Sequence, residues 1–185
     1  MESLTKSVVV LVSGSGTTFQ ALAAGLSGSQ IEIKGLIASK AGIGAIEKAE
    51  TLGIRAMVQA GDKLADLVDS FNPDLIVLAG YLKKIPVDFI QKFENKIINV
   101  HPSLLPKYGG KGMYGKNVHK AVKEAGETES GATVHYVTEN YDEGPVVEQV
   151  RVSLSESDSV EDIEEKVRAA EKELLISAVK KILND

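Results

Sequence analysis

The chain has 185 residues, 43% of them hydrophobic, and 21 Lys and Arg against 26 Asp and Glu give it a formal net charge of −5. This length favours a single domain, residues 1–185, with a full hydrophobic core. The mild negative charge argues against binding to nucleic acid through its phosphates. The absence of cysteine excludes disulfides, thiolate nucleophiles and Cys-containing metal sites, and the three widely spaced histidines lead us to expect no metal.

Strand and helix patterns alternate over the first hundred residues. Continuous β-branched and apolar runs at residues 7–13 and 74–79 are typical of strands buried on both faces. Further strands are predicted at residues 31–39, 54–58 and 96–101, and helices at residues 17–26, 43–52 and 63–71, with a short helix beginning at Pro86. The alternation predicts a single doubly wound, Rossmann-like α/β domain with a mostly parallel sheet.

The last third of the chain has a different pattern. Two strand patterns at residues 131–138 and 145–154, joined by a short loop, predict an antiparallel hairpin at one sheet edge. Residues 159–183 predict one long final helix with an apolar stripe at helical spacing.

Near the other end of the chain, the apolar run at residues 7–13 is too short to be a signal or membrane segment. We therefore expect a soluble, cytoplasmic protein that binds no membrane.

A glycine-rich turn, residues 13–18, joins the first strand to the first helix, and helix N-termini of this kind can bind anions. A dinucleotide site would need a third glycine where Phe19 stands and an acid after the second strand, and a P-loop would need a Gly-Lys-Ser/Thr sequence. Neither pattern is present, so we expect no nucleotide cofactor. The sequence of this segment agrees equally well with a site for a single phosphate and with a tight turn that binds no ligand.

Asn99 and His101 interrupt an apolar strand at two positions that share one face. Pro102 and Pro106 then turn the chain into a loop, so both polar groups should lie at a strand end, where ligands bind in such sheets. An amide and a protonated imidazole can both donate to an oxyanion that develops on a carbonyl. We therefore favour catalysis over the alternative of a purely structural pair.

A carboxylate is the expected third member, because it would fix the imidazole tautomer and raise the pKa of the ring. Glu139, Asp142 and Glu143 all lie in the hairpin loop, and spacing does not distinguish them. Among the other histidines, we expect His119 to be a solvent-exposed residue of a lysine-rich helix. We expect His135 to be a hydrogen-bonded strand residue that could neighbour the site.

Four segments occur in the order found in one enzyme family: VVLVSGSGT at residues 9–17, VLAG at 77–80, NVHPSLLP at 99–106 and DEGPV at 142–146. Together they resemble the folate-dependent phosphoribosylglycinamide (GAR) formyltransferases of purine biosynthesis, from Val8 to about Val179. The resemblance implies formyl transfer from 10-formyltetrahydrofolate, as co-substrate, to GAR, giving formyl-GAR and tetrahydrofolate. It implies small-molecule partners only, and it leaves open whether the protein is a monomer or a homodimer.

The resemblance also implies roles for individual residues. Asn99, His101 and Asp142 match the catalytic residues of the family, which selects one of the three loop acids. The residues that match its substrate-binding segments are Gly16, Thr17 and Thr18 for the ribonucleotide phosphate, Leu82, Lys83, Lys84 and Ile85 for the folate, and Glu171 for the glycinamide end of the substrate. The loop at residues 138–142 resembles the second wall of the folate pocket.

The family's reaction implies that the GAR amine attacks the formyl carbon directly. Asn99 and protonated His101 would stabilise the oxyanion. Asp142 would keep the imidazole charged and help to relay the amine proton, through water, to the departing folate nitrogen.

The chain departs from the family's common pattern at three places. Family members commonly have Asn where Thr18 stands and Met-Arg where Leu82 and Lys83 stand, and residues 109–117 form a longer stretch than usual. We therefore expect the contacts to ribose and folate to differ in detail.

Other functions remain open from the sequence. A sugar-nucleotide formyltransferase or a formyltetrahydrofolate deformylase would share the same motifs, although the deformylase would normally carry a preceding regulatory domain. Methionyl-tRNA formyltransferase would bring a further C-terminal domain and a basic surface. A non-catalytic nucleotide-binding module would not need the oxyanion donors.

Overall fold

The computed structural model describes residues 5–59 and 62–184, and within these ranges the chain forms seven strands and six helices. The strands are β1 (Lys6–Val12), β2 (Ile31–Ala38), β3 (Arg55–Val58), β4 (Leu75–Leu78), β5 (Ile97–His101), β6 (Glu129–Tyr136) and β7 (Val146–Ser153). The helices are α1 (Thr17–Leu26), α2 (Gly44–Thr51), α3 (Leu64–Asp69), α4 (Val87–Lys92), α5 (Lys116–Glu124) and α6 (Val160–Asn184). Every predicted strand and helix is present, with ends shifted by one or two residues.

The strands form one sheet in the order β3-β2-β1-β4-β5-β6-β7. β1 pairs in parallel with β2 and β4, β2 pairs in parallel with β3, and β6 and β7 pair antiparallel. The predicted fold class, a mostly parallel α/β sheet with an antiparallel C-terminal hairpin and a long final helix, is therefore confirmed. The chain leaves β1 toward β2 on one side and returns to β4 on the other, so the strand order reverses between β1 and β4. Open α/β sheets bind ligands at such a point.

The chain divides into two compact units, and β5 runs from one into the other. The first unit contains the described residues up to Ile98 together with the end of α6 from Val179. Its β1 residues from Val8 to Leu11 and its β4 residues Ile76 and Val77 are fully buried, as expected for strands covered on both faces. That the whole chain is a single domain stays a prediction. Within the described residues, none of the helices combines the length and the apolar character needed to cross a membrane.

The second unit comprises Asn99–Ala178. Its α5 and α6 are joined by a small apolar cluster of Val122, Ile163 and Val167. The prediction that His119 is solvent-exposed is wrong, because only 4% of this residue is exposed. His119 lies three residues before Val122 on α5, so both face the same side of the helix. Lys116 and Lys120, which lie near it on the same helix, are exposed.

Candidate active site

The glycine-rich turn at residues 13–18 packs against the start of α2. Gly16 is buried with φ +76°, and a Cβ at this position would lie 2.7 Å from both Cα and Cβ of Ala45. The Ala45 N–H donates to the Gly14 carbonyl at 3.3 Å, and Lys48 Nζ donates to the Ser15 carbonyl at 2.6 Å. Thr17 and Thr18 are the first two residues of α1. The turn is therefore held by hydrogen bonds to its backbone carbonyls, and it depends on the absence of a side chain at Gly16.

The segment predicted to contact the folate follows β4 and contacts this turn. The Ser13 N–H donates to the Gly80 carbonyl at 3.1 Å, and the Leu82 N–H donates to Ser13 Oγ at 2.9 Å. Leu82 is 69% exposed, Lys83 and Lys84 are also exposed, and Ile85 is buried. The two predicted binding segments of this unit therefore meet at the carboxyl ends of β1 and β4, where the strand order reverses.

The end of β5 carries Asn99 and His101, and Asp142 lies beside them in the hairpin loop. His101 Nδ1 is 3.5 Å from Asp142 Oδ1, and His135 Nε2 is 3.6 Å from the same oxygen. Asn99 Nδ2 is 3.2 Å from His135 Nε2. The side chains of both histidines and of Asp142 are no more than 11% exposed. The three residues that were predicted to act together thus form one cluster, in which Asn99 is half-buried and His135 lies between the amide and the acid.

Asp142 differs from the other two acids of its loop. Glu139 and Glu143 are exposed, whereas Asp142 Oδ2 accepts a hydrogen bond from the Gly110 N–H at 2.8 Å. The Asp142 backbone lies in the left-handed region, with φ 57°, which a residue other than glycine seldom adopts. The loop therefore turns this carboxylate, out of the three, toward the histidines.

A backbone carbonyl determines the tautomer of His101. Its Nε2 lies 2.8 Å from the Tyr108 carbonyl oxygen, and because a carbonyl only accepts, Nε2 must carry a proton. Nδ1 is then the nitrogen that faces Asp142, and in the neutral ring it has a free lone pair. Nδ1 can therefore take up a proton, and the resulting imidazolium would lie beside the carboxylate.

Burial has opposite effects on the two ionisable partners. It lowers the pKa of His101, and although Asp142 and the Tyr108 carbonyl act in the other direction, the net pKa lies below its ordinary value. Burial raises the pKa of Asp142, but His135, the positive charge of His101 and the Gly110 N–H together hold the net pKa below its ordinary value. The acid thus raises the pKa of the imidazole, as expected, but does not outweigh burial. A resting site with neutral His101 and ionised Asp142 follows.

His135 holds the amide of Asn99. Its Nδ1 lies 3.0 Å from the Tyr136 carbonyl oxygen, which assigns a proton to Nδ1, and its Nε2 lies 3.2 Å from Asn99 Nδ2 and 3.6 Å from Asp142 Oδ1. Because the amide nitrogen has two N–H donors and His135 can engage only one of them, Asn99 can still donate to a substrate oxygen. His135 was expected to be a hydrogen-bonded strand residue that could neighbour the site. It is hydrogen-bonded, and it is part of the cluster.

The loop after His101 is fixed from β6 and β7. Thr133 Oγ1 donates to the Ser103 carbonyl at 2.7 Å and accepts from the Leu105 N–H at 3.1 Å. Gln149 Nε2 donates to Thr133 Oγ1 and to the Leu105 carbonyl, each at 2.9 Å. Thr133 is fully buried, and its hydroxyl makes the one donated and two accepted hydrogen bonds that a hydroxyl can form. This network holds the loop that carries Tyr108, and the sequence patterns did not reveal it.

Glu171 lies on α6, away from the loops of the cluster in the sequence. It is half-buried, and burial raises the pKa of its carboxyl to about 7, against the opposing charges of Arg168 and Lys172. An acid with this pKa changes its charge near neutral pH. Within residues 5–59 and 62–184, no group of three His, Asp or Glu side chains is arranged to hold a metal ion.

Comparisons with known proteins agree on one family. Residues 6–179 match the family model described as formyl transferase. The chain is 36% identical over 187 residues to the chloroplastic phosphoribosylglycinamide formyltransferase of Arabidopsis thaliana, a match that covers 94% of this chain and 64% of that protein. It is 35% identical over 187 residues to the phosphoribosylglycinamide formyltransferase of Haemophilus influenzae, covering 95% of this chain and 86% of that one.

A solved structure has the same fold. The crystal structure of phosphoribosylglycinamide formyltransferase from Anaplasma phagocytophilum superposes with a TM-score of 0.90 at 31% identity, covering 97% of this chain and 88% of that one. The chain thus spans less than two thirds of the plant relative and most of the two bacterial ones.

Proposed function

The chain belongs to the formyl transferase family, and we propose that it transfers the formyl group of 10-formyltetrahydrofolate to the amine of GAR, a step of purine biosynthesis. The observation that carries the proposal is the cluster in which His101 lies beside Asp142 and His135 lies between Asp142 and Asn99. The names of the three relatives support GAR as the acceptor. The products are formyl-GAR and tetrahydrofolate.

The first step is attack of the GAR amine on the formyl carbon. A new C–N bond forms, and the formyl oxygen becomes an oxyanion. The free N–H of Asn99 donates to this oxygen, and His101 donates from Nδ1 once that nitrogen is protonated. The Asn99 donor is already in place when the charge develops, and it stabilises the oxyanion more than water would because it needs no reorganisation.

One proton must move from the amine to the folate. The attacking nitrogen carries an extra proton after the bond forms, and neutral His101 can accept it at Nδ1, since Nε2 is held as a donor by Tyr108. The imidazolium so formed lies beside Asp142, which stabilises its charge. As the bond between the formyl carbon and folate N10 breaks, the ring gives the proton to N10. The lowered pKa of His101 favours this order, in which the ring becomes charged only during the reaction.

Three segments are proposed to bind the substrates. Gly16, Thr17 and Thr18 present the N-terminus of α1, whose unpaired N–H groups suit a phosphate. The residues at 82–85 and the loop at residues 138–142 are proposed to contact the folate, and the exposed side chain of Leu82 offers apolar surface for a ring. Glu171 is proposed to bind the glycinamide end through its carboxylate.

We further propose that the reaction needs neither a metal nor a nucleotide cofactor. The protein would act in the cytoplasm as a monomer or a homodimer, without nucleic acid or membrane. Its formyl donor is a folate, as the family implies.

A single assay tests the function. Protein is mixed with GAR and 10-formyltetrahydrofolate, with and without EDTA, and tetrahydrofolate formation is followed by absorbance. We expect product only when GAR is present and no effect of EDTA. Product without GAR would indicate a deformylase, and product only with an amino-sugar nucleotide would indicate a sugar-nucleotide formyltransferase. No product under any condition, with GAR still bound, would favour a binding module.

A further inference from the structure

One short backbone segment contacts both ionisable groups of the cluster. The Tyr108 carbonyl accepts from His101 Nε2 at 2.8 Å, and the Gly110 N–H donates to Asp142 Oδ2 at 2.8 Å. The two contacts come from residues that are only two positions apart in the chain. We call residues 108–110 the backbone clamp, because this segment contacts both the imidazole and the carboxylate, which lie 3.5 Å apart.

The clamp approaches Asp142 closely because its middle residue has no side chain. A Cβ at Gly109 would lie 3.3 Å from Cβ of Asp142 and 2.5 Å from Cδ2 of Leu105. Any larger residue would therefore need both neighbours to move. The clamp fits tightly between the catalytic loop and the hairpin loop.

Tyr108 itself has an unfavourable backbone conformation. Its φ of 57° lies in the left-handed region, where a residue with a side chain is strained. Such conformations persist only where the surroundings hold them in place, and they are found at functional sites. The backbone bond to His101 is one such restraint, but a single bond to a ring that can itself rotate would not suffice.

The side chain of Tyr108 provides the remaining restraints. Its ring packs against the apolar cluster of Val122, Ile163 and Val167 between α5 and α6. Its hydroxyl donates to Glu127 Oε1 at 2.8 Å, and Lys107 Nζ donates to the same oxygen at 3.0 Å. The side chain is therefore held both along its ring and at its tip.

We propose that Tyr108 is a positioning residue: its side chain anchors the backbone clamp, which fixes the tautomer of His101 and the separation of His101 from Asp142. Tyr108 would not contact either substrate. The expected effect on rate rests on the proposed formyl transfer, whereas the effect on the tautomer does not. The two can therefore fail separately.

The tautomer is measured by ¹H–¹⁵N NMR of the histidine rings at about pH 8.5, where histidine is neutral. The ionisable groups that act on His101 are Asp142 and His135; His119, whose own pKa is affected by His101, is recorded in the same spectra. In the wild-type protein we expect His101 to be protonated at Nε2 alone. In Tyr108→Ala we expect a mixture of the two tautomers, because the carbonyl acceptor is no longer held in place.

Tyr114→Ala is the matched control, because Tyr114 is 58% exposed and lies in the loop that follows the clamp. It should leave the His101 signals unchanged. A folded Tyr108→Ala protein that keeps only the Nε2–H form would overturn the proposal. If Tyr108→Ala does not fold, Tyr108→Phe and Glu127→Gln decide the question. Tyr108→Phe removes the hydrogen bond at the tip of the side chain, and Glu127→Gln weakens that bond and also removes the ion pair with Lys107. A small amount of the Nδ1–H form of His101 is then expected in both variants, and a tautomer identical to that of the wild type in both would count against the anchor.

Kinetics give the second readout. Tyr108→Ala should lower kcat by about 10- to 100-fold, the range for a small misplacement of catalytic groups, with the KM for GAR and for folate within about twofold of wild type. Tyr108→Phe should retain most of the activity lost in Tyr108→Ala, because its ring still packs on the apolar cluster. Equal loss in the Phe and Ala variants, or a loss confined to KM, would contradict the proposal. Absence of transfer in the wild type would refute the proposed function and leave the NMR test of the clamp intact.

Discussion

The glycine-rich turn at residues 13–18 and the Asn99–His101–Asp142 cluster are built in opposite ways. In the turn, backbone carbonyls of Gly14 and Ser15 accept the hydrogen bonds from α2, and Gly16 leaves the space that α2 needs for its close approach. In the cluster, side chains are proposed to carry out the chemistry, and each of them makes a hydrogen bond with His135, Tyr108 or Gly110. The turn therefore depends on the absence of a side chain at Gly16, whereas the cluster depends on the presence of particular hydrogen-bonded side chains.

The difference follows from the chemistry proposed for each region. An anion needs several N–H groups and close access, which glycine provides. A proton-transfer site needs a defined tautomer and a defined charge, which only specific hydrogen bonds provide. We therefore expect substitutions in the cluster to lower kcat, and substitutions in the turn to affect GAR binding and stability.

The largest effect is expected for the two oxyanion donors. His101→Ala and Asn99→Ala should each lower kcat by about 10²–10³, the usual loss for one such donor, because no remaining group replaces the lost bond to the formyl oxygen. Steady-state kinetics measure the loss, and circular dichroism with thermal unfolding checks the fold. Near-normal turnover in His101→Ala would refute the catalytic role.

The acid of the cluster is expected to act through the histidine. Asp142→Asn should lower kcat by about 10²-fold and lower the pKa of His101 further, because the carboxylate is one of the two influences that raise it. NMR titration of the His101 ring measures that pKa. Glu143→Gln is the matched control, since Glu143 is exposed and adjacent in the chain. An unchanged or raised His101 pKa in Asp142→Asn would show that the carboxylate has no electrostatic role.

The turn offers a matched pair of glycines. Gly16→Ala should lower the free energy of unfolding by about 2 kcal/mol, because a left-handed φ is unfavourable for alanine and the new Cβ would lie 2.7 Å from Cα and Cβ of Ala45. It should also raise the KM for GAR by about 10-fold and leave kcat within about twofold. At Gly14, a Cβ meets no described atom within 4 Å, so Gly14→Ala is the control. Equal effects at both positions would show that the close contact with α2 is unimportant.

Much of the fold follows from local pattern. α1 spans the predicted residues 17–26 because a glycine turn precedes an amphipathic run, and the doubly buried strands β1 and β4 are plain from their β-branched residues. The placement of Asn99 and His101 at a strand end followed from the prolines after them. These features depend on neighbours in the sequence, so the sequence alone predicts them.

Other features depend on contacts that no local pattern contains. Spacing did not separate Asp142 from its neighbouring acids, because the choice depends on a left-handed backbone angle. The sequence did not reveal that the Tyr108 carbonyl contacts His101, because every residue has a backbone carbonyl. His119 was misassigned because the lysines around it outweighed its spacing from Val122, and the net direction of the His101 pKa required the amount of burial.

The smallest effect is expected at Glu171, which belongs to neither region. Its substitution allows the effects on binding and on stability to be measured separately. Its folded pKa of about 7 lies above the ordinary value of 4.5, so the native state holds a proton that the unfolded state loses between these pH values. The free energy of unfolding should therefore fall as pH rises from 4.5 to 7 and stay low above it. Glu171→Gln removes this penalty and should stabilise the protein by at most about 3 kcal/mol above pH 7, with almost no gain below pH 4.5.

The same substitution should weaken GAR binding, because the amide has no negative charge for the glycinamide end. We expect the KM for GAR to rise about threefold to tenfold and kcat to change by less than twofold. Urea unfolding at several pH values and steady-state kinetics measure the two effects. Glu173→Gln, on an exposed position of α6, is the control for both. A stability gain without a change in KM would show that Glu171 is a half-buried acid with no part in binding, whereas a loss of kcat would indicate that it acts with the cluster.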